Sequence, residues 1–153
     1  MEAALGELQA RSFARASIPT LSAFPAERRL DGSRLAAYLD RRAFAVIGSS
    51  RPDGRPHAAM SSYLRRGNVF WLPTVGGSVR ERNVRQQPWM TMTVTEGDRN
   101  AHIVVLIEGP AEVVPLPAVP ADVRAAVAGD WVAAWLRLTP ARLLSYAAED
   151  ATP

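Results

Sequence analysis

Trp89-Met-Thr-Met-Thr-Val-Thr95 alternates strictly, with Met90, Met92 and Val94 on one face and threonines on the other. Successive side chains of a strand point to opposite faces, so this stretch predicts a strand with one buried and one open side. Such a strand needs neighbours, and the flanking sequence predicts them. Phe44-Ala-Val-Ile-Gly-Ser-Ser50 reads as a buried strand, and Arg51-Pro-Asp-Gly-Arg-Pro56 as a hairpin turn with strong Asp-Gly chemistry. A second strand is expected from about His57 to Leu64, after which Arg66-Gly-Asn turns the chain into Val69-Phe-Trp-Leu72. Beyond residue 95, Glu96-Gly-Asp98 leads into His102-Ile-Val-Val-Leu-Ile107, continued by Glu112-Val-Val with a bulge expected at Gly109. Trp131–Leu138 predicts the final strand, and Pro140–Tyr146 a terminal turn or strand.

Only one helix separates the third strand from the fourth, and hairpins join most of the others. A parallel sheet needs a crossover after nearly every strand. The expected class is therefore mainly β (α+β), an antiparallel barrel of six strands with short helices at its ends. One such helix starts at Asp31-Gly-Ser33, with Leu35, Tyr38 and Leu39 on one face and Arg41 and Arg42 in its last turn. A second spans Pro120–Gly129. Residues 1–30 read as an appended, loosely held arm in which Leu5, Leu8 and Phe13 line a short helix, with packing on a partner subunit one use for it. Residues 31–153 form the domain proper.

The single intervening helix carries the strongest functional signal, in Thr74-Val-Gly-Gly-Ser-Val-Arg-Glu-Arg-Asn-Val-Arg-Gln-Gln-Pro88. Gly76-Gly77 permits a tight turn, Ser78 with Glu81 three residues later is a capping box, and Pro88 ends the helix. The hydroxyls of Thr74 and Ser78, the free amides of the first turn and the guanidinium of Arg80 are then expected to converge. A helix N-terminus favours an anion, and Arg80 adds a full positive charge. The same residues also read as an ordinary strand end and helix cap.

Composition narrows the chemistry. The 153 residues suit one domain, and no apolar stretch approaches the roughly 20 residues of a membrane span. The first residues lack a signal-peptide core, so a cytoplasmic location is expected. There is no cysteine, which excludes disulfides and thiolate chemistry. All 18 basic residues are arginine, so a lysine Schiff base is excluded and any anion is met by arginine, backbone or hydroxyl groups. The arginines are dispersed rather than clustered, and nucleic acid is not an expected partner. His57 and His102 are too far apart for a metal motif and read as surface or strand-edge residues, with a hydrogen bond to a ligand the other use of His57. Trp71, Trp89, Trp131 and Trp135 read as core or interface residues, or as platforms for a flat ligand.

Together, Asp53-Gly-Arg-Pro-His57, Phe70-Trp-Leu-Pro-Thr74, Gly77-Ser-Val-Arg-Glu-Arg-Asn-Val-Arg-Gln-Gln-Pro88 and Glu108-Gly-Pro-Ala-Glu112 resemble the flavin-binding split β-barrel proteins related to pyridoxamine 5′-phosphate oxidase. The resemblance covers Phe44 to about Val114 and weakly Leu136–Arg142. It implies a six-stranded split barrel and a homodimer with two cofactor sites at the subunit interface. It implies FMN as cofactor, with the deazaflavin coenzyme as the alternative. A non-enzymatic binder of haem, another tetrapyrrole or flavin is a third possibility. By position, Thr74, Ser78 and Arg80 match phosphate-binding positions, Pro73 and Val79 offer main chain, and Asn83 lies one turn on. His57, Ala58, Ala59 and Met60 match the strand that offers backbone to the flavin ring. Pyridoxamine phosphate oxidases carry basic residues along that strand, where this chain has Ala58, Ala59, Tyr63 and Leu64. The implied function is therefore an FMN-binding oxidoreductase acting on some other small molecule.

Overall fold

The computed structural model describes residues 2–153. It contains strands β1 (Phe44–Ser50), β2 (Pro56–Ser62), β3 (Leu64–Arg66), β4 (Val69–Thr74), β5 (Trp89–Glu96), β6 (Ile103–Pro115), β7 (Ala134–Leu138) and β8 (Arg142–Ala147). The helices are α1 (Glu2–Ala14), α2 (Ile18–Ala23), α3 (Gly32–Arg41), α4 (Val79–Gln86) and α5 (Ala121–Ala126). None is long and apolar enough to cross a membrane.

All strand pairs are antiparallel, in the order β2-β1-β5-β6-β7-β4-β3, with β8 also on β6. The sheet curls into a half-barrel because β6 serves two sheets. Its residues 103–108 pair with β8 and its residues 111–115 with β7, while β5 follows its other edge from Ile103 to Pro110. The alternation of β5 is realised as expected: Met90, Met92 and Val94 are fully buried, packed with Ile47, Val105, Ile107 and Leu136. The Asp-Gly hairpin also forms, with Gly54 at φ +85°, where glycine alone avoids strain.

Eight strands replace the six expected. Tyr63 interrupts the second, sending its side chain inward so that its hydroxyl donates to Leu39 O at 2.6 Å, and β3 resumes beyond it. Residues 142–147 complete a strand of their own. The last strand of the second sheet starts at Ala134 rather than at Trp131, which lies in the preceding turn. Gly109 is not a bulge, since β5 stays in register past it. A Cβ there would stand 2.1 Å from Thr139 O and 2.8 Å from Ala141 N, so the glycine makes room for the chain crossing from β7 to β8.

The N-terminal segment is docked on its own domain, not loosely held. Leu5, Leu8 and Phe13 are buried, and α1 lies against α3 and β8. Gln9 donates to Leu30 O at 2.6 Å and accepts from the Ser145 hydroxyl, which in turn accepts Leu30 N–H at 2.9 Å. Ser12 accepts Leu143 N–H at 3.0 Å. Buried polar groups that are fully paired in this way fix position as well as contributing stability.

Candidate cofactor site

Thr74 closes β4 and is fully buried. The turn beyond it needs a left-handed residue, which Gly77 supplies at φ +72°. Ser78 caps α4, its hydroxyl accepting Glu81 N–H at 3.2 Å. The Glu81 carboxylate reaches back one residue further than a capping box requires, to Gly77 N–H at 2.8 Å. The helix ends at Gln86, two residues before Pro88.

This local geometry draws the expected groups into one cluster. Thr74 Oγ1 and Ser78 Oγ are 2.8 Å apart. Arg80 folds back over them, donating from Nε to Thr74 Oγ1 at 3.3 Å, from Nη2 to Pro73 O at 3.0 Å and from Nη1 to Met60 O at 3.3 Å. Among the described residues, the amides of Val79 and Arg80 have no acceptor, as first-turn amides of a helix do not within the helix itself.

The electrostatics are one-sided. No carboxylate lies within 4.0 Å of Arg80 among the described residues. Burial pushes its pKa below the ordinary arginine value, yet an arginine stays charged at neutral pH. A half-buried cation is thus held only by neutral oxygens, beside the positive end of a helix dipole. An anion with several acceptor oxygens would satisfy the free amides and the charge together, so the residues present fit a phosphate-bearing group.

The other expected residues are placed as follows. His57, Ala58, Ala59 and Met60 lie on β2, a sheet edge whose outer backbone groups have no strand partner. Ala58 and Met60 face outward, Met60 being 68% exposed. His57 is half-buried rather than a plain surface residue, and its Nδ1 is buried without a hydrogen-bond partner. Asn83 is spent elsewhere: its amide donates to Ser49 Oγ at 3.0 Å, tying α4 to β1.

Val79 and Asn83 also line a cleft of about 360 Å³ between α4 and the β1–β2 hairpin, with Arg51 and Arg82 in its wall. Neither arginine has a carboxylate within 4.0 Å among the described residues, whereas Arg55 pairs with Asp53 at 2.8 Å. No local sequence pattern links Arg51 to Arg82; they become neighbours only because the Asp-Gly hairpin folds against α4. Of the tryptophans, Trp71 and Trp135 are core residues, while Trp89 and Trp131 are each 47% exposed.

No curated protein matches the chain. A conserved hypothetical protein of Mycobacterium tuberculosis has a similar structure, with a TM-score of 0.71 at 19% identity over 83% of this chain and 91% of that one. An FAD-binding protein of Mesorhizobium loti gives 0.64 at 15% identity, over 77% and 93% of the two chains. An F420 reductase gives 0.55 at 19% identity, over 70% and 93%. At these identities the likeness shows a shared fold. Residues 33–152 match the family described as pyridoxamine 5′-phosphate oxidase, and the chain belongs to that family.

Proposed function

We propose that this protein binds a flavin-type cofactor, FMN in the first place, and works as an oxidoreductase on a small molecule. It does so as a homodimer with the cofactor sites at the subunit interface. The observation that carries the reading is Arg80, a half-buried cation with only neutral protein partners, beside the Thr74 and Ser78 hydroxyls and two free helix amides. A bound flavin supplies the hydride or electron transfer itself. The chain's own part is to grip the phosphate through Thr74, Ser78, Val79 N–H and Arg80, to offer the β2 edge to the ring, and to exclude solvent. The orphaned His57 Nδ1 gives β2 a polar atom in need of a partner. Dimerisation is favoured by the outer face of β1 and β2, where Phe44, Val46 and Met60 are exposed side by side.

A second reading, a deazaflavin coenzyme in the same place, is favoured by the uncompensated Arg51 and Arg82 beside Val79, which suit a longer acidic tail. Side-by-side titration of ligand-stripped protein with FMN and deazaflavin coenzyme tests both. Arg80→Ala is expected to weaken the preferred cofactor by about 1.5–3 kcal/mol, the value of a charge-assisted hydrogen bond. Unchanged affinity for both in that variant removes the proposed phosphate contact. A loss confined to the deazaflavin coenzyme in an Arg51→Gln/Arg82→Gln variant selects the second reading.

A further inference from the structure

Helix α2 lies ahead of the residues that match the family and has no buried residue of its own. It is nonetheless fixed at both ends. Before it, Phe13 is buried and carries the Arg29 guanidinium 3.6 Å above its ring. After it, Phe24 packs on Phe13 at 6.2 Å between ring centroids and edge-on against Tyr146 at 6.4 Å. The Phe24 carbonyl also accepts Arg29 Nε at 2.9 Å. Between these anchors Ile18 and Leu21, three residues apart and so on one side of the helix, are 82% and 38% exposed. An apolar pair held out from the core on a fixed element marks a contact surface.

The strand registers locate α2. Tyr146 stands opposite Val104, Leu144 opposite Leu106, Leu106 opposite Thr93, and Thr93 opposite Val46, which pairs with Met60. These residues share the outward face of β2-β1-β5-β6-β8, since Val94, Val105 and Ile107 fill the inward one. The segment leading into α2 passes Arg15, which lines a cleft with Arg142 at the start of β8. The helix ends at Phe24, against Tyr146 near the finish of the same strand. It therefore borders the outward face along β8. On the opposite side β2 ends the sheet as a bare edge, with Met60 outward.

We infer that α2 is a docking element for a second copy of this chain, with Ile18 and Leu21 of one protomer packing over the β2 side of its partner's outward face. This contact rests on the homodimer proposed above and adds to it an element outside the family match. A two-fold interface applies the same patch to itself. Facing sheets pack about 10 Å apart, and a helix with its side chains is itself about 10 Å across. Two α2 helices set against each other would hold the outward faces apart. Each α2 set beside the other copy's β2 lets the faces close, and the two-fold axis then runs along the strands. Apolar surface meets apolar surface there, since Phe44, Val46 and Met60 are the exposed residues on that side. In this arrangement α2 of one protomer reaches the strand proposed to bear its partner's flavin ring.

The chain has no cysteine, so single introduced thiols can report the contact. Leu21→Cys and Met60→Cys chains, tagged to differ in size and co-expressed, are treated with a short bismaleimide. The expected product joins one chain of each kind, with neither kind linked to itself. In sedimentation, Ile18→Ser/Leu21→Ser should raise the dimer dissociation constant at least about tenfold, the worth of burying one such side chain. Both side chains are exposed, so the variant should fold as the native chain does. Three results overturn the α2 contact while leaving the dimer standing: no mixed product, Leu21→Cys linked to itself, or an unchanged dissociation constant in the serine variant. A native chain that sediments as a monomer at micromolar concentration overturns both.

Discussion

Replacing Gly109 by alanine isolates a backbone crossing from ordinary glycine tolerance. The added Cβ would meet Thr139 O at 2.1 Å, Ala141 N at 2.8 Å and Pro140 Cα at 3.1 Å, all main chain. Relief requires the 139–141 segment to retreat by roughly 1 Å, since carbon–heavy-atom contacts sit near 3.5 Å and a well-packed core yields only at a cost. That segment is held by Thr139 N–H to Pro110 O at 3.0 Å and Ala141 N–H to Glu108 O at 2.9 Å. Losing or stretching both hydrogen bonds costs about 1–3 kcal/mol, and residual strain adds about 1–3 kcal/mol. The total expected is about 2–6 kcal/mol. Gly48 is the control, because an alanine Cβ there meets Thr91 Oγ1 at 2.2 Å, a side-chain atom on an exposed residue. Rotating Thr91 away costs about 0.5–1.5 kcal/mol. Urea unfolding followed by tryptophan fluorescence reads the difference. With an m-value of about 2 kcal/mol/M, Gly109→Ala should lower the midpoint by about 1–3 M, and Gly48→Ala by less than about 0.8 M. Equal midpoints for the two variants would refute the crossing argument.

Two further outcomes are expected. Arg41 donates a hydrogen bond to Glu96, and Arg42 adds one at 3.1 Å, which together hold the Glu96 carboxyl below its ordinary range. A depressed carboxylate contributes stability above its unfolded pKa of about 4.3, and this is lost as pH falls through the lower folded value. The urea midpoint of the native chain should therefore exceed that of Glu96→Gln at pH 7, with the gap closing below about pH 4; a gap that persists in acid contradicts the ion-pair account. Val46 and Met60 pair across β1 and β2 on the exposed face, so Val46→Asp should convert a dimer into a 16.6 kDa monomer by light scattering. A native chain already monomeric at micromolar concentration removes the dimer from the proposal.

Much of this was legible in local sequence because the causes are local. A two-residue period, an Asp-Gly tip and a serine cap act within a few residues, so β5, the first hairpin and the start of α4 stand where the sequence puts them. The Thr74–Arg80 cluster belongs to the same class, since six residues and one turn bring its parts together. What escaped depends on distant partners. Gly109 looks like a bulge until the 139–141 segment is seen crossing it. Gln9 and Ser12 look like solvent-facing residues of a weak helix, because their partners are Leu30, Leu143 and Ser145. Tyr63 breaks a strand for the sake of a carbonyl 24 residues earlier.

The docking of α1 carries a consequence for synthesis. Its hydrogen-bonding partners on β8 lie 131 and 136 residues further along the chain. At roughly 5–20 residues per second, a ribosome leaves the apolar stripe of Leu5, Leu8 and Phe13 without that surface for on the order of ten seconds. β4 waits about half as long for β7, its neighbour on the side away from β3. The turn at residues 74–80, the proposed phosphate seat, hangs from β4 and so depends on the same late pairing. A ligand held by Arg80 meets a completed β4–β7 pair only after residue 138 has been made.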